Sequence, residues 1–213
     1  RTPPKTQAAL LEAMQEFEVT YSGETYKLEK PFFILATQTP IEQSGTFPLP
    51  EAQQDRFLFY INMGYPTEME ENDILKNTTG GKKEEVHAVI TGKEILRLQQ
   101  LVREVPVSDD LISYVNRVIR ATRPETTHIQ FVKEWVNWGA GPRAGQAMIL
   151  TAKARALQNG RLAVTLDDIK LSAYPVLRHR IIVNFRAEAE GITSDDVTRE
   201  LINVIRESAK GGN

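Results

Sequence analysis

Polar side chains follow a short apolar run early in the chain, where they are placed to meet a ligand. Residues 32–36, Phe-Phe-Ile-Leu-Ala, carry no charge, which is typical of a strand buried on both faces of a parallel sheet. Thr37 and Thr39 follow within three residues. Because ligands of open parallel sheets bind outside the carboxyl ends of the strands, we expect these hydroxyls to face a ligand. A polar cap on the end of the strand is the alternative interpretation.

Arg143 is a second candidate for chemistry, in the sequence Gly-Pro-Arg-Ala. Pro142 is favoured at the first position of a helix, so Arg143 should lie in the first turn of an Ala-rich helix that ends at Asn159-Gly160. The N-terminus of a helix attracts anions through its free N–H groups and its dipole. A guanidinium there could bind an anion such as a phosphate. A salt bridge at an interface is the alternative interpretation.

A mixed α/β segment is predicted around Thr39. Residues 3–15 have the apolar spacing of a helix that begins at a Thr-Pro signal. Residues 17–28 alternate as a β-hairpin, and a two-residue turn would pair Val19 with Tyr26.

The second part of the chain is predicted to be helical. Residues 57–61 read as the last strand, and Gly-Tyr-Pro at residues 64–66 then ends the strand pattern. We therefore place an α/β domain at residues 1–64 and a helical domain at residues 65–213. Capping sequences predict helix starts at Thr67, Thr91, Ser108, Thr165 and Thr193. Trp135 and Trp138 are expected in the helical core.

Residues 36–57 read ATQTPIEQSGTFPLPEAQQDRF. This stretch resembles the sensor 1 and arginine-finger region of the MoxR family of AAA+ ATPases, whose pattern is ATQNPIEQxGTxPLPEAQxDRF. Thr39 stands where the family usually has Asn, so one hydroxyl replaces an amide, and either group could orient a water against a phosphate. GAGPRA and VTLDDIKLSAYPVLRHRI are similar to the family's lid, which commonly reads GASPRA and VTxDDV…VLRHRI. The resemblance covers nearly the whole chain.

The resemblance implies an α/β plus all-α fold class: the C-terminal part of an AAA+ P-loop NTPase core followed by a helical lid domain. It also implies catalytic roles for Arg56, as an arginine finger, and for Thr39, in sensor 1. Arg143 would be the sensor 2 arginine, which contacts the nucleotide phosphates. An arginine supplied by a neighbouring subunit stabilises the charge of a phosphoryl-transfer transition state. On spacing alone, an ion pair of Arg56 with Asp55 or Glu51 would be the simpler interpretation.

The phosphate-binding loop that such an ATPase needs is absent from the sequence. Gly-Gly-Lys-Lys at residues 80–83 lacks the earlier glycine, the Ser or Thr and the preceding apolar strand of a P-loop. The chain begins with residues that are similar to those following Walker B in the family. The resemblance implies ATP and Mg²⁺ as cofactors of the complete protein, and without the phosphate-binding loop we expect this chain alone to be inactive.

Composition excludes several classes of site and of partner. The 213 residues carry a net charge of −2, so no overall positive field would recruit nucleic acid. The absence of cysteine rules out disulfides and thiolate metal sites, and the three histidines show no metal-binding spacing. No metal site is therefore expected from the sequence. No signal peptide or membrane-spanning run is apparent, so a cytoplasmic protein is expected.

The family resemblance implies a hexameric ring that couples ATP hydrolysis to chaperone-like remodelling or assembly of client proteins. A von Willebrand factor A-domain protein is the implied partner. The hairpin at residues 17–28 resembles a pre-sensor 1 hairpin, which often faces the ring pore, and a plain hairpin that covers a sheet edge is the alternative. A non-catalytic interaction module that kept the fold without a P-loop is the alternative. A ring-forming nucleic-acid translocase is a third reading, which the absence of a basic hairpin tip disfavours. The client is not readable from the sequence.

Overall fold

The structure, a computed structural model, describes residues 4–38, 49–81 and 86–205. The described elements, in chain order, are α1 (Pro4–Glu16), β1 (Glu18–Tyr21), β2 (Glu24–Lys27), α2 (Glu51–Gln54), α3 (Glu68–Thr79), α4 (Gly92–Glu104), α5 (Asp109–Ala121), α6 (Gln130–Trp135), β3 (Val136–Trp138), α7 (Pro142–Gln158), α8 (Leu166–Leu177), β4 (Ile182–Val183), α9 (Phe185–Ala189) and α10 (Ser194–Val204).

The first helix and the hairpin form as the sequence predicts, except that the predicted helix start at residues 2–3 lies outside the described residues. Strands β1 and β2 pair antiparallel, with Val19 opposite Tyr26. Ser22 and Gly23 both have positive φ values, 51° and 84°, as a tight hairpin turn requires. Helix α1 packs against β1. The predicted hairpin register is therefore confirmed.

The two strands predicted at residues 32–36 and 57–61 are wrong for the described residues, because neither segment forms a strand. A strand exists only where a neighbour completes its hydrogen-bond ladder, and neither described two-stranded sheet includes these segments. Phe33 and Leu35 consequently expose most of their side chains. Tyr60 instead donates its N–H to the Pro175 carbonyl at 2.8 Å.

The helical part of the chain begins its helices at the predicted capping residues. Full capping boxes form at Thr67, Thr91, Thr165 and Thr193, and Ser108 accepts a hydrogen bond from the Leu111 N–H. These caps satisfy N–H groups that would otherwise be unpaired at the helix starts. The proposed division between residues 64 and 65 stays a prediction.

The core of the helical part forms around α7 and α8, which pack against each other. Helix α7 presents alanines on its buried face, and their small side chains let neighbouring helices approach closely; Ala144, Ala152 and Ala156 are all fully buried. Helix α5 packs on α7, and α10 packs on α8. This arrangement packs α7 and α8 side by side in one helical core.

Only one of the two tryptophans occupies the core. Trp135 is buried, as predicted, whereas Trp138 is 62% exposed, so the prediction for Trp138 is wrong. An irregularity in the register between β3 and β4 lies between Val136 and Trp138. Such bulges redirect a side chain, because the strict alternation of faces along a strand is lost.

Candidate functional site

Arg56 and Arg143 line the same open cleft. Its volume is about 420 Å³, and its wall also includes Glu16 at the end of α1 and Arg180 just after α8. The structure therefore brings together two of the three predicted site residues from distant parts of the sequence. Thr39, the third, lies outside the described residues, and its role stays a prediction.

Arg56 lies on a tight turn directly after α2. The turn is closed by hydrogen bonds from the Arg56 N–H to the Gln53 carbonyl at 3.2 Å and from the Phe57 N–H to the Gln54 carbonyl at 3.0 Å. Nε and Nη1 of Arg56 are buried and have no hydrogen-bond partner among the described residues. Asp55 pairs with Arg180 rather than with Arg56. Buried N–H donors without partners are costly, so Nε and Nη1 of Arg56 are suited to binding an anionic acceptor.

Arg143 is the second residue of α7, and its side chain is exposed. No side chain caps the N-terminus of α7, because the capping position is Gly141. A cation in the first turn opposes the helix dipole, which favours negative charge there. Among the described residues, no salt bridge compensates Arg143. This position costs stability and is suited to an anionic ligand.

The backbone before α7 is fixed against the end of α5. Ala140 donates its N–H to Thr122 Oγ1 at 2.8 Å, and its carbonyl accepts from Arg123 Nε at 3.1 Å. Gly139 passes so close to α5 that a Cβ there would lie 2.6 Å from the carbonyl carbon of Thr122. The sequence Gly-Ala-Gly-Pro-Arg thus sets where Arg143 enters the cleft.

Arg180 is buried and has no N–H left for a ligand. Nε donates to Asp55 Oδ1 at 2.7 Å, and Nη2 donates to the carbonyls of Asp55 and Phe57 at 2.8 and 2.7 Å. Nη1 donates to the carbonyls of Val176 at 2.6 Å and Leu58 at 3.3 Å. These bonds occupy all five guanidinium N–H groups.

The electrostatics of the cleft favour an anion. Burial lowers the pKa of Arg180 from its usual value, the Asp55 carboxylate opposes that shift, and the charge of Arg143 adds to it. Because Asp55 neutralises Arg180, the described lining of the cleft keeps two arginines against one carboxylate, that of Glu16. Planar guanidinium groups bind phosphate oxygens in pairs, so the phosphates of a nucleotide fit this donor set.

The importance of Arg180 and His179 was missed by sequence reasoning. The sequence Arg-His-Arg was visible only as part of the lid resemblance, and no spacing rule indicates that it would reach residues 55–60. In the structure, His179 Nε2 lies 3.0 Å from the Phe57 carbonyl, and the His179 ring stacks on Tyr60. Since a carbonyl only accepts, Nε2 carries the proton of the neutral ring.

We expect His179 to make the stability of the protein sensitive to mild acid. Burial, and secondarily the charge of Arg180, lower its pKa from 6.5 to about 4. Above pH 6.5 the ring is neutral in both folded and unfolded chains. As the pH falls from 6.5 to 4 the unfolded chain binds a proton that the folded chain does not. We therefore expect the free energy of unfolding to fall across this window by up to roughly 3 kcal/mol.

The measurement is a series of denaturant unfolding curves between pH 7 and pH 4, with His179→Gln as the matched variant. Glutamine keeps an N–H that could reach the Phe57 carbonyl but does not titrate. In this window the free energy of unfolding of the variant should depend less steeply on pH, by the slope that corresponds to about one bound proton. Equal slopes for the two proteins would show that His179 is not the titrating group.

Two kinds of feature are absent from the described part of the chain. No cluster of three or more His, Asp or Glu side chains that could hold a metal ion occurs there. No helix in residues 4–38, 49–81 and 86–205 combines the length and hydropathy needed to cross a bilayer.

Comparison with known proteins places this chain in a family. A profile of the "ATPase family associated with various cellular activities (AAA)" matches residues 1–59, and a profile of the "AAA lid domain" matches residues 130–201. The chain is 41% identical over 206 residues to the chaperone MoxR1 of Mycobacterium tuberculosis, which covers 96% of this chain and 54% of that protein. The chain belongs to the MoxR family of AAA+ ATPases.

Two further relatives support the assignment. The uncharacterised protein YeaC of Bacillus subtilis is 40% identical over 207 residues, covering 97% of this chain and 62% of YeaC. The crystal structure of a candidate ATPase from Cytophaga hutchinsonii superposes with a TM-score of 0.91 at 36% identity, covering 98% of this chain and 64% of that one. The predicted fold class, the C-terminal part of an AAA+ core followed by a helical lid, is confirmed. The chain thus spans roughly half to two-thirds of the length of these relatives.

Proposed function

We propose that this chain is the lid-side part of a MoxR-type ATPase that couples ATP hydrolysis to remodelling or assembly of client proteins. The observation that carries the proposal is the cleft in which Arg56 and Arg143 meet. Neither arginine has a salt-bridge partner among the described residues, and two nitrogens of Arg56 are buried without an acceptor there. Those features support binding of the nucleotide phosphates.

The two arginines would divide the work on the phosphates. When bound, ATP would supply the phosphoryl group that is transferred to water, and Mg²⁺ would neutralise part of the charge on its phosphates. Arg143, exposed at the N-terminus of α7, would bind phosphate oxygens in the ground state and orient them. Arg56 would stabilise the negative charge that spreads over the phosphoryl oxygens in the transition state.

Both arginines would serve one nucleotide, because both line one cleft. An arginine finger acts on the nucleotide of a neighbouring subunit. If Arg56 does so, Arg143 acts on that neighbour's nucleotide as well. This arrangement supports an assembled ring as the active form, and a hexamer is the expected size.

The remaining parts of the proposal come from the family. The name of the chaperone MoxR1 supports a chaperone-like role for this protein. We propose a cytoplasmic location and a von Willebrand factor A-domain protein as the partner. ATP and Mg²⁺ are the proposed cofactors of the complete protein. Client binding and remodelling would depend on residues outside this cleft.

Replacing Arg143 with alanine in the complete protein is expected to weaken ATP binding by about tenfold to a hundredfold, which corresponds to one lost charge-assisted contact. The lid should stay folded, because the side chain is exposed. Stability should be unchanged or slightly raised, since a cation leaves the N-terminus of a helix. Nucleotide titration and a thermal melt of the same sample check both parts.

The matched control is Arg120→Ala, which removes an exposed arginine from α5, outside the cleft. Its ATP affinity should match that of the unmodified protein. An Arg143→Ala protein with unchanged ATP affinity and a lowered melting temperature would show that Arg143 is structural. That result would remove the main support for the proposed function.

A further inference from the structure

The segment that carries Arg56 is attached to the end of α8 by side chains and by one backbone hydrogen bond, from the Tyr60 N–H to the Pro175 carbonyl, rather than by a sheet. Within the described residues, no strand pairs with residues 55–60. Their carbonyls are instead bonded by three consecutive lid residues. Arg178 Nη1 donates to the Tyr60 carbonyl at 2.8 Å, His179 to that of Phe57, and Arg180 to those of residues 55, 57 and 58.

Arg180 is the centre of this attachment. It is 6% exposed, and each of its five N–H groups already has an acceptor. One acceptor, the Val176 carbonyl, belongs to α8, and the other four belong to residues 55–58. Arg180 therefore ties the turn to the lid but has no donor left to offer a phosphate.

The orientation of the Arg56 side chain depends on the hydrogen bonds that Arg180 makes to the neighbouring carbonyls. Arg56 lies between Asp55 and Phe57, whose carbonyls Arg180 holds through the same nitrogen, Nη2. The buried Nε and Nη1 of Arg56 have no partner of their own among the described residues. Its side chain is thus aimed by the backbone turn and not by hydrogen bonds of its own guanidinium.

The C-terminal end of α8, where Arg180 lies, is also connected to the segment that carries Arg143. Strand β4 begins two residues after Arg180 and pairs with β3, where Val183 lies opposite Val136. The chain then runs from β3 through residues 139–141 to the first turn of α7, which packs along α8. The positions of Arg56 and Arg143 are therefore both set by contacts with the C-terminal end of α8.

We propose that Arg180 is a positioning residue that holds Arg56 in register with Arg143 and does not itself contact the nucleotide. This inference rests on the proposed function, because it requires Arg56 to act on phosphate. Lysine in place of Arg180 could keep the charge pair with Asp55, but three N–H groups on one nitrogen cannot span four carbonyls and a carboxylate. Arg180→Lys should leave the lid folded and let Arg56 shift.

The test is a double-mutant cycle in the complete protein, read as single-turnover release of labelled phosphate and as ATP affinity. Arg180→Lys should lower the turnover rate by up to about 10²-fold, as expected for a misplaced catalytic group. ATP affinity should change by less than about threefold, because Arg143 still binds. In the Arg56→Ala background, Arg180→Lys should cost almost nothing further, since the residue it positions is gone.

Arg161→Lys is the matched control. Arg161 forms a two-bond pair with Asp168, at 2.5 and 2.7 Å, elsewhere in the lid and outside the cleft. It should lower the melting temperature without lowering turnover by the folded protein. If Arg180→Lys does not fold, Asp55→Asn replaces it, because that change weakens one of the five bonds and keeps all the carbonyl acceptors. It should produce a smaller loss of turnover, again only when Arg56 is present.

The outcomes separate the two proposals. If Arg56→Ala abolishes turnover and Arg180→Lys leaves it unchanged, or lowers it equally with and without Arg56, the positioning role is overturned and the proposed function stands. If Arg180→Lys weakens ATP binding and turnover to the same extent, Arg180 contacts the nucleotide and the inference is wrong. If Arg56→Ala leaves turnover intact, the finger assignment fails and the positioning role fails with it.

Discussion

Replacing Arg56 with alanine in the complete protein is expected to lower ATP turnover by about 10³- to 10⁵-fold, the range seen for arginine fingers, while ATP still binds. The physical reason is that the guanidinium acts on charge that develops in the transition state. A ground-state ligand gains less from it than the transition state does. Turnover and nucleotide titration on the same preparation separate the two effects.

Arg56→Lys should recover only part of the lost turnover. Lysine keeps the charge, but its ammonium is a point charge that cannot bridge two phosphoryl oxygens. Two of the Arg56 nitrogens, Nε and Nη1, are enclosed and unpartnered among the described residues, which is the geometry that a bridging role would use. Full activity of Arg56→Lys would mean that the side chain contributes only charge.

A mixing experiment tests whether Arg56 acts on a neighbouring subunit. Subunits that carry Arg56→Ala are combined with subunits that keep Arg56 but cannot bind ATP. Mixed rings should regain some turnover, because each Arg56 is supplied to the intact ATP site of its neighbour. If subunit-exchange fluorescence shows that mixed rings form and no ratio restores turnover, the assignment of Arg56 to a neighbour's nucleotide fails.

Local features of the fold could be read from the sequence because their causes are local. The capping boxes at Thr67 and Thr193 depend on residues three positions apart, and the hairpin register depends on a two-residue turn. The strands predicted at residues 32–36 and 57–61 were wrong because a strand depends on neighbours elsewhere in the chain. Apolar character shows that a segment can be buried, but it does not show that a neighbouring strand is present to form backbone hydrogen bonds with it.

The candidate site was predictable in its residues and not in its arrangement. Arg56 and Arg143 were identified by motif and helix position, and the structure places both in one cleft. Arg180 was missed because it looks like an ordinary basic residue at the end of a helix. Its role depends on carbonyls more than 100 positions away, at Asp55 and Phe57, and no local pattern encodes such contacts.

Replacing Gly139 with alanine is expected to lower the free energy of unfolding by about 2–4 kcal/mol, combining overpacking with two weakened hydrogen bonds. A Cβ at this position would lie 2.6 Å from the carbonyl carbon of Thr122 and 2.8 Å from Cα of Arg123. Both are backbone atoms at the end of α5, so no side chain can turn away to make room. The strand must move instead, which strains the bonds of Ala140 to Thr122 and Arg123.

The matched control lies two residues further on. Gly141 has an ordinary φ of −89°, and a Cβ there would meet nothing within 4 Å. Gly141→Ala should therefore change stability by less than about 1 kcal/mol, through a slightly poorer helix cap. Denaturant unfolding of both variants measures the difference.

Because the displaced strand leads directly to Arg143, Gly139→Ala should also weaken ATP binding by the folded complete protein, whereas Gly141→Ala should not. Equal stabilities for the two variants would show that the α5 contact does not fix the entry to α7.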